Sequence, residues 1–346
     1  AGAGASFYDA AVRRIAFSLV AVLGGVAAAL LLGEGLARGL GEPPLAAVVR
    51  SSAAAKGVDS VLMAVDDGRL YAGRPGGGED EALDRWGLRD PEPGVRAPCR
   101  LVLLGDSVAW GHGLRPAQIL GRRLEQRLPV RVHTLAAPGW NTAQEAAALQ
   151  TLGAELQPDL VLVLWVPNDA ASAEVEGADT VYVQRRVRLL PVLGVDAQIA
   201  LWRRSWLFRR VGDALSGEEL LLEAREHAQA LESIAATSRD LGTRALLAQV
   251  PPLVPYPGWQ TPWGPGRPTP AYVREAPWQA AVQGAEAAGM PRFDLTAANA
   301  GTDPTTLRLT SSDRVHPSAA GVERFAEALA PWLAPELPAR CRSNPG

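Results

Sequence analysis

The sequence predicts an α/β fold, a three-layer arrangement of a parallel sheet with helices on both faces, preceded by a transmembrane helix. Three observations predict it. From Arg100 onward, short apolar runs alternate with longer helical patterns, the order that builds βαβ units. Two of these runs, Leu101–Leu104 and Leu160–Trp165, are uninterrupted, as strands covered on both faces must be. Near the start, Ile15–Gly33 (IAFSLVAVLGGVAAALLLG) carries no charge. As a helix it is roughly 28 Å long, about one hydrocarbon core.

The elements follow in order. Arg13 and Arg14 precede the apolar run and keep its amino end, residues 1–14, cytoplasmic. The run at 15–33 is expected to be an anchor. A cleaved signal is the alternative, but no A-x-A site follows and the run exceeds a usual signal core; a buried globular helix fits such an all-round apolar stretch less well. Residues 34–98 form an exported linker and lead-in, rich in Gly and Pro (GRPGGGED, DPEPGVRAP), with short strands at Val61–Val65 and Leu70–Tyr71. The main domain is expected over 99–341. Its elements are a strand at Leu101–Leu104, a helix at Pro116–Arg127 with Pro at its start, and a strand at Val130–Leu135. An Ala-rich helix at Thr142–Leu156 and a strand at Leu160–Trp165 follow. Ser216 and Glu219 are spaced as a capping box for a long amphipathic helix, Glu218–Leu241. A strand at Arg244–Val250, a helix at Ala271–Ala288, a strand at Arg292–Leu295 and a helix at Pro317–Leu333 close the domain.

Two stretches interrupt the alternation. Residues 170–215 form an insertion with Arg-rich, Trp-containing patches (QRRVRLL, LWRRSWLFRR), read either as an ordinary solvated helix with snorkelling arginines or as a membrane or partner contact. Pro251–Pro270 is a loop dense in Pro, Gly and Trp. Long loops on a rigid scaffold often shape a site. The net charge of −3 and a pI near 5.9 argue against a nucleic-acid partner. Cys99 and Cys341 lie at the two ends of the domain; in an oxidising compartment they either pair or stay as two thiols. Two distant cysteines without clustered histidines make no zinc site, and no metal or organic cofactor is expected.

The chemistry points to a serine. Leu101–Leu104 runs into Gly105-Asp106-Ser107, a strand ending in a turn that presents a hydroxyl. A serine hydroxyl needs a base, and the base needs an orienting group. Of the four histidines, His133 falls in a strand and His227 mid-helix, so both are expected to be structural or exposed. His112 lies near Ser107 in sequence. His316 is favoured as base: Pro317 biases it away from helix, and Asp313 stands three residues earlier, within a turn's reach. Asp106 is expected to organise its turn by bonds to backbone. Taken alone, Gly139 reads as a turn glycine and Asn168 as a loop cap.

Together these residues resemble the four blocks of the SGNH (GDSL) hydrolases. The blocks are Gly105-Asp106-Ser107 with Gly111, Pro138-Gly139-Trp140-Asn141, Asn168-Asp169, and Asp313-x-x-His316-Pro317, in order over about Arg100 to Leu333. The lead-in from Asp84 to Glu92 (DRWGLRDPE) is similar to that of membrane-anchored bacterial members. The resemblance implies a flavodoxin-like SGNH fold with Ser107 as nucleophile, His316 as base and Asp313 as its partner. It further implies an oxyanion hole from Ser107, Gly139 and Asn168. Val166 departs from the pattern, standing where family members often have Gly, and predicts an oxyanion pocket that is differently shaped or narrower.

The expected function is a membrane-anchored serine esterase, with its catalytic domain periplasmic, acting through an acyl-serine on acyl or acetyl esters of lipids or envelope glycans. An O-acyltransferase with the same triad and a non-catalytic envelope-complex subunit are the alternatives. The expected partners are the ester substrate, the membrane through Ile15–Gly33 and, for the last alternative, an envelope protein. Trp110, Trp140, Trp165, Trp259 and Trp263 stack on substrate or belong to the core.

Overall fold

In the computed structural model of the chain, all residues are described except 1–2, 41–47, 51–60, 78–82, 90–98, 177–179, 184–192, 194, 216–219, 262, 264–268 and 343–346. In chain order the elements are α1 (Ala3–Gly39), β1 (Val48–Arg50), β2 (Leu62–Ala64), β3 (Tyr71–Gly73), β4 (Arg100–Gly105), α2 (Ser107–Trp110), α3 (Leu120–Glu125), β5 (Arg131–Ala136), α4 (Thr142–Leu156), β6 (Leu160–Trp165), β7 (Ala173–Glu176), β8 (Thr180–Val183), α5 (Val195–Arg204), α6 (Trp206–Leu215), α7 (Ala224–Asp240), β9 (Ala245–Gln249), α8 (Glu275–Ala287), β10 (Arg292–Asp294), α9 (Ala319–Leu333) and α10 (Ala339–Arg342), with short 3₁₀ turns between them.

The chain divides into two units. Ala46–Arg186 and Gly217–Gly346 form one; Ala1–Leu45 and Val187–Ser216 form the other. The expected insertion at 170–215 is therefore shared out: β7 and β8 belong to the larger unit, where they pair with β1 in an antiparallel sheet, and α5 and α6 belong to the smaller.

The larger unit is built on a five-stranded parallel sheet of order β10-β9-β6-β4-β5. Along the chain that order is 5-4-3-1-2, the flavodoxin-like arrangement, with its topological switch point between β4 and β6. The period of two along each strand sorts the core into two halves. Leu101, Leu103, Leu160, Leu162 and Leu164 join Leu124, Phe325 and Leu329 of α3 and α9 on one face. Val102, Leu104, Val161, Val163 and Trp165 join Leu149, Leu231 and Trp278 of α4, α7 and α8 on the other.

Several elements differ from the sequence expectation. The helix expected at Pro116–Arg127 is broken: Pro116–Gln118 is a 3₁₀ turn, and Ile119 is extended (φ −70°, ψ 157°) with its side chain buried. The helix expected from Glu218 starts at Ala224. Ala171 and Leu221 form an antiparallel bridge, with Leu222 N–H donating to the Ala170 carbonyl at 2.9 Å, and this non-local pairing removes the turn the amphipathic pattern offered. The capping box of Ser216 and Glu219 lies outside the described residues, as does the QRRVRLL segment. The closing helix starts at Ala319, after Pro317 bridges to Arg308 and Ser318 caps Gly321 N–H. Cys99 and Cys341 are bonded to each other, both buried.

Candidate active site

The carboxyl ends of β4, β5 and β6 lie side by side, since Gly105 is in register with Ala136 on one flank and Leu164 on the other. Ser107, Gly139 and Asn168 follow these strands by two, three and three residues, so the topology alone gathers them at the switch point. His316 arrives from the loop ahead of α9.

Ser107 opens the short helix α2. Asp106 caps it, its Oδ1 accepting from Val108 N–H at 2.8 Å, so it organises the turn as expected. Arg89, buried in the lead-in, donates to the carbonyls of Trp110, Gly111 and Leu114 and holds the chain that follows the serine. His316 Nε2 stands 2.8 Å from Ser107 Oγ, and its Nδ1 2.9 Å from Asp313 Oδ2. The other carboxylate oxygen of Asp313 accepts from the backbone N–H of Val315 (3.0 Å) and His316 (2.8 Å). Burial pushes the Asp313 pKa up, but these hydrogen bonds and the imidazole outweigh it, and the net value falls to about 2. Asp313 is thus an acceptor at neutral pH, His316 carries its proton on Nδ1, and Nε2 offers a lone pair to the serine hydroxyl.

The Asp313–His316 loop is clasped by the Pro-rich segment. Leu253 N–H donates to the Arg314 carbonyl (2.8 Å), and Arg308 Nε donates to the Leu253 carbonyl (2.6 Å). Trp263 lies beneath the Arg314 guanidinium, 5.9 Å from ring centroid to Cζ.

Gly139 takes φ +81° in the turn after β5, a conformation that costs an L side chain. A Cβ there would also meet Val183 Cγ1 at 3.1 Å and Tyr71 Oη at 3.2 Å. Tyr71 donates its hydroxyl to the Pro138 carbonyl (3.0 Å), and its own carbonyl accepts from Trp140 Nε1 (2.8 Å), so the lead-in hairpin of β2 and β3 fixes the glycine turn. Asn168 is buried, and its Nδ2 donates to Asp106 Oδ2 at 2.5 Å, leaving its second amide hydrogen for another acceptor. Asp169 Oδ2 accepts from Val166 N–H (2.7 Å) and closes the Asn168 turn. Near it lies Glu145 on α4; burial and the Asp106 carboxylate push the Glu145 carboxyl well above the usual carboxylate range, and burial with the Glu145 and Asp106 carboxylates does the same to Asp169. Val166 and Pro167 line a narrow apolar pocket beside Asn168 with Val250, Pro251, Trp263 and Val315.

The remaining histidines and tryptophans fall elsewhere. His112 donates its backbone N–H to the Ser107 carbonyl at 2.9 Å; its ring centre lies 4.7 Å from that of His316, and burial and that neighbour lower its pKa. His227 is buried, with its pKa lowered by burial to about 4, and accepts from Trp165 Nε1 at 3.0 Å. Trp110, Trp140 and Trp165 are core residues rather than a substrate platform, and Trp259 packs on Trp278. Tyr71, Arg89 and Glu145 were not singled out as site residues by the sequence; each meets the site across a long sequence separation.

The chain is similar to several solved structures. TesA matches at 21% identity over 69% of this chain and 99% of its own, with a TM-score of 0.43. A lipase/acylhydrolase from Enterococcus faecalis matches at 16% over 69% and 97%, with a TM-score of 0.42. Est24, a carbohydrate acetylesterase from Sinorhizobium meliloti, matches at 16% over 68% and 99%, also with a TM-score of 0.42. No curated protein matches the sequence. The model of the GDSL-like lipase/acylhydrolase family matches residues 103–324, which run from β4 through the Asp313–His316 loop into α9. With more than half of its length so matched, the chain belongs to the GDSL-like lipase/acylhydrolase family and is a serine ester hydrolase.

Proposed function

We propose that Ser107 is the nucleophile of a membrane-anchored, exported esterase, with His316 as general base and Asp313 orienting it. The Ser107–His316–Asp313 line, at 2.8 and 2.9 Å, carries this reading. As Ser107 Oγ attacks the ester carbonyl carbon, His316 Nε2 takes the hydroxyl proton. The carbonyl oxygen becomes an oxyanion, met by the N–H groups of Ser107 and Gly139 and the free amide hydrogen of Asn168. Collapse returns the proton from Nε2 to the departing alkoxide and leaves acyl-Ser107. Water then gives a proton to Nε2, attacks the acyl carbon, and releases the acid with Ser107 restored.

The narrow apolar pocket beside Asn168 supports short acyl groups, acetyl among them, over long chains. Two features support export and anchoring. In α1, Arg14–Gly39 has a window of mean hydropathy 2.6 with no residue buried, so its side chains need an apolar solvent. The Cys99–Cys341 bond suits an oxidising compartment. Envelope lipids or glycans bearing acetyl groups are then the substrates within reach.

The test is labelling of the purified full chain with a fluorophosphonate, followed by intact mass, beside turnover of p-nitrophenyl acetate and its longer-chain homologues. One adduct on the wild type, none on Ser107→Ala, and a rate falling with acyl length are expected. A folded wild type that neither labels nor hydrolyses would overturn the assignment.

A further inference from the structure

In the smaller unit, α6 is amphipathic with its apolar side outward. Leu207, Phe208, Val211 and Leu215 recur at helical spacing; the first two are half-buried, and Val211 and Leu215 are 47% and 58% exposed. Arg209, on another side, is buried, its Nε donating to the Trp202 carbonyl at 2.5 Å. On α5 the pattern repeats. Ala197, Ala200 and Leu201 are exposed, as is Arg204 at the end of the helix, while Gln198, Ile199 and Trp202 are buried. Among the described residues, each helix of the pair thus turns a set of apolar side chains outward and buries one polar residue, Gln198 or Arg209.

The pair is bonded to α1 at one level. Glu34, the first charge after the apolar run, accepts from Ser205 Oγ (2.7 Å), Trp206 N–H (3.1 Å) and Leu207 N–H (3.0 Å). Gly33, the last residue of that run, makes room for Leu207: a Cβ there would lie 2.8 Å from Leu207 Cδ2. Arg38 stands 5.8 Å from the Trp206 ring centroid and donates to the Arg204 carbonyl. The first turn of α6 is therefore level with the end of the span, where acyl chains give way to headgroups and where Trp and Arg concentrate.

We propose that α5 and α6 form an interfacial helix pair, seated by the apolar side of Ala200, Leu201, Val211 and Leu215 in the outer boundary layer of the lipid bilayer that α1 crosses; this rests on the spanning reading of α1. Glu34 is the positioning residue that ties the pair to the span. The occupant is lipid rather than a second copy because the stripe starts at Leu207, which meets Gly33 at the end of a helix whose apolar window has no residue buried.

The test uses the full chain in phosphatidylcholine nanodiscs with an environment-sensitive fluorophore on one introduced thiol, the native cysteines being buried and paired. Sites are Val211→Cys and Leu215→Cys on the stripe, Leu23→Cys in α1, and Glu327→Cys on the exposed side of α9 as the water reference. The expected result is blue-shifted emission at 211 and 215, lost to lipids carrying a nitroxide near the headgroup. Leu23→Cys is lost to nitroxides deep in the chains, and Glu327→Cys responds to neither. Deep quenching at position 23 with 211 and 215 matching 327 overturns the proposal and leaves the span standing. No quenching at 23 overturns both. A blue shift at 211 and 215 that needs two chains per disc and ignores the nitroxides assigns the stripe to a second copy and overturns the lipid assignment.

Discussion

Asp313→Asn tests the relay at its least forgiving point. The two carboxylate oxygens of Asp313 have separate tasks: Oδ1 accepts from the Val315 and His316 backbone N–H groups, and Oδ2 accepts from His316 Nδ1. An asparagine has one acceptor oxygen. Two backbone donors claim it, so its NH₂ turns to Nδ1 and requires a lone pair there. The imidazole proton moves to Nε2, which faces Ser107 Oγ and can no longer take its proton. In the general Ser-His-Asp scheme this tautomer error costs about 10⁴ in kcat, or about 5 kcal/mol. Since both backbone bonds survive, the melting temperature should stay within a few degrees of wild type. Asp313→Ala is the control. It loses the backbone acceptors and is the less stable protein, but its imidazole is free to choose the productive tautomer, so it should outperform the asparagine variant. Steady-state kcat/KM on p-nitrophenyl acetate, with thermal melts on the same samples, decides the matter. An asparagine variant within tenfold of wild type, or one faster than the alanine variant, would refute the tautomer argument.

Gly139→Ala should lose roughly 1–2 kcal/mol of stability to the left-handed backbone alone, more where Val183 and Tyr71 cannot yield, and a kcat loss of about 10²-fold or more should accompany displacement of the Gly139 N–H; a melt and kcat equal to wild type would exclude both. His227 is held neutral by burial, with a folded pKa of about 4 against 6.5 unfolded. Its contribution of about 3 kcal/mol is therefore present above pH 6.5, is lost as the pH falls below that, and is gone near pH 4. Denaturant melts of a His227→Gln variant should show a flatter pH dependence across that window, and an unchanged slope would count against the assignment. Reducing the Cys99–Cys341 bond, which closes a separation of 242 residues, should cost about 2–5 kcal/mol, read as a lower urea midpoint for Cys341→Ala; an equal midpoint would show that the bond adds nothing to the folded state.

What the sequence revealed and what it hid divide along local and non-local lines. The strands β4 and β6 were legible because uninterrupted apolar runs of four and six residues bounded by turns have few other fates, and the limits of α4 and β6 match the expected ones residue for residue. The positions of Ser107, Gly139 and Asn168 were legible because each follows a strand in a recognisable block, and those of Asp313 and His316 because they form a block of their own ahead of α9. Tyr71 was not, since its bond to Pro138 joins residues 67 apart and leaves no local pattern. Glu145 was hidden by a reasonable decoy: an acid in the first turn of a helix ordinarily serves the helix dipole in solvent, yet this one is fully buried. The false start of α7 has the same origin, an amphipathic period overridden by pairing with Ala171. The outward stripe of α6 lies in the stretch read either as a solvated helix or as a membrane or partner contact, and the medium it faces separates those readings.

One carboxylate sets the polarity of the oxyanion pocket. Asp106 can only accept hydrogen bonds, and its Oδ2 faces the Asn168 side chain at 2.5 Å, so the amide nitrogen must point toward it and Oδ1 away. An amide turned the other way would put two oxygens in contact inside a buried site. With the nitrogen fixed, the second amide hydrogen projects about 120° from the first in the amide plane, as trigonal geometry requires, and Asn168 presents a donor, not an acceptor, to whatever oxygen enters. The same Oδ2 accepts from Ser107 Oγ at 3.0 Å, so the atom that orients the proposed oxyanion donor also touches the proposed nucleophile. Ser107 Oγ therefore has two acceptors within reach, Oδ2 at 3.0 Å and His316 Nε2 at 2.8 Å, and the imidazole is the nearer. Replacing Asp106 by Asn would remove both constraints at once: the pocket amide is free to flip, and the loss should fall on kcat because the donor it misplaces acts on charge that exists only in the transition state.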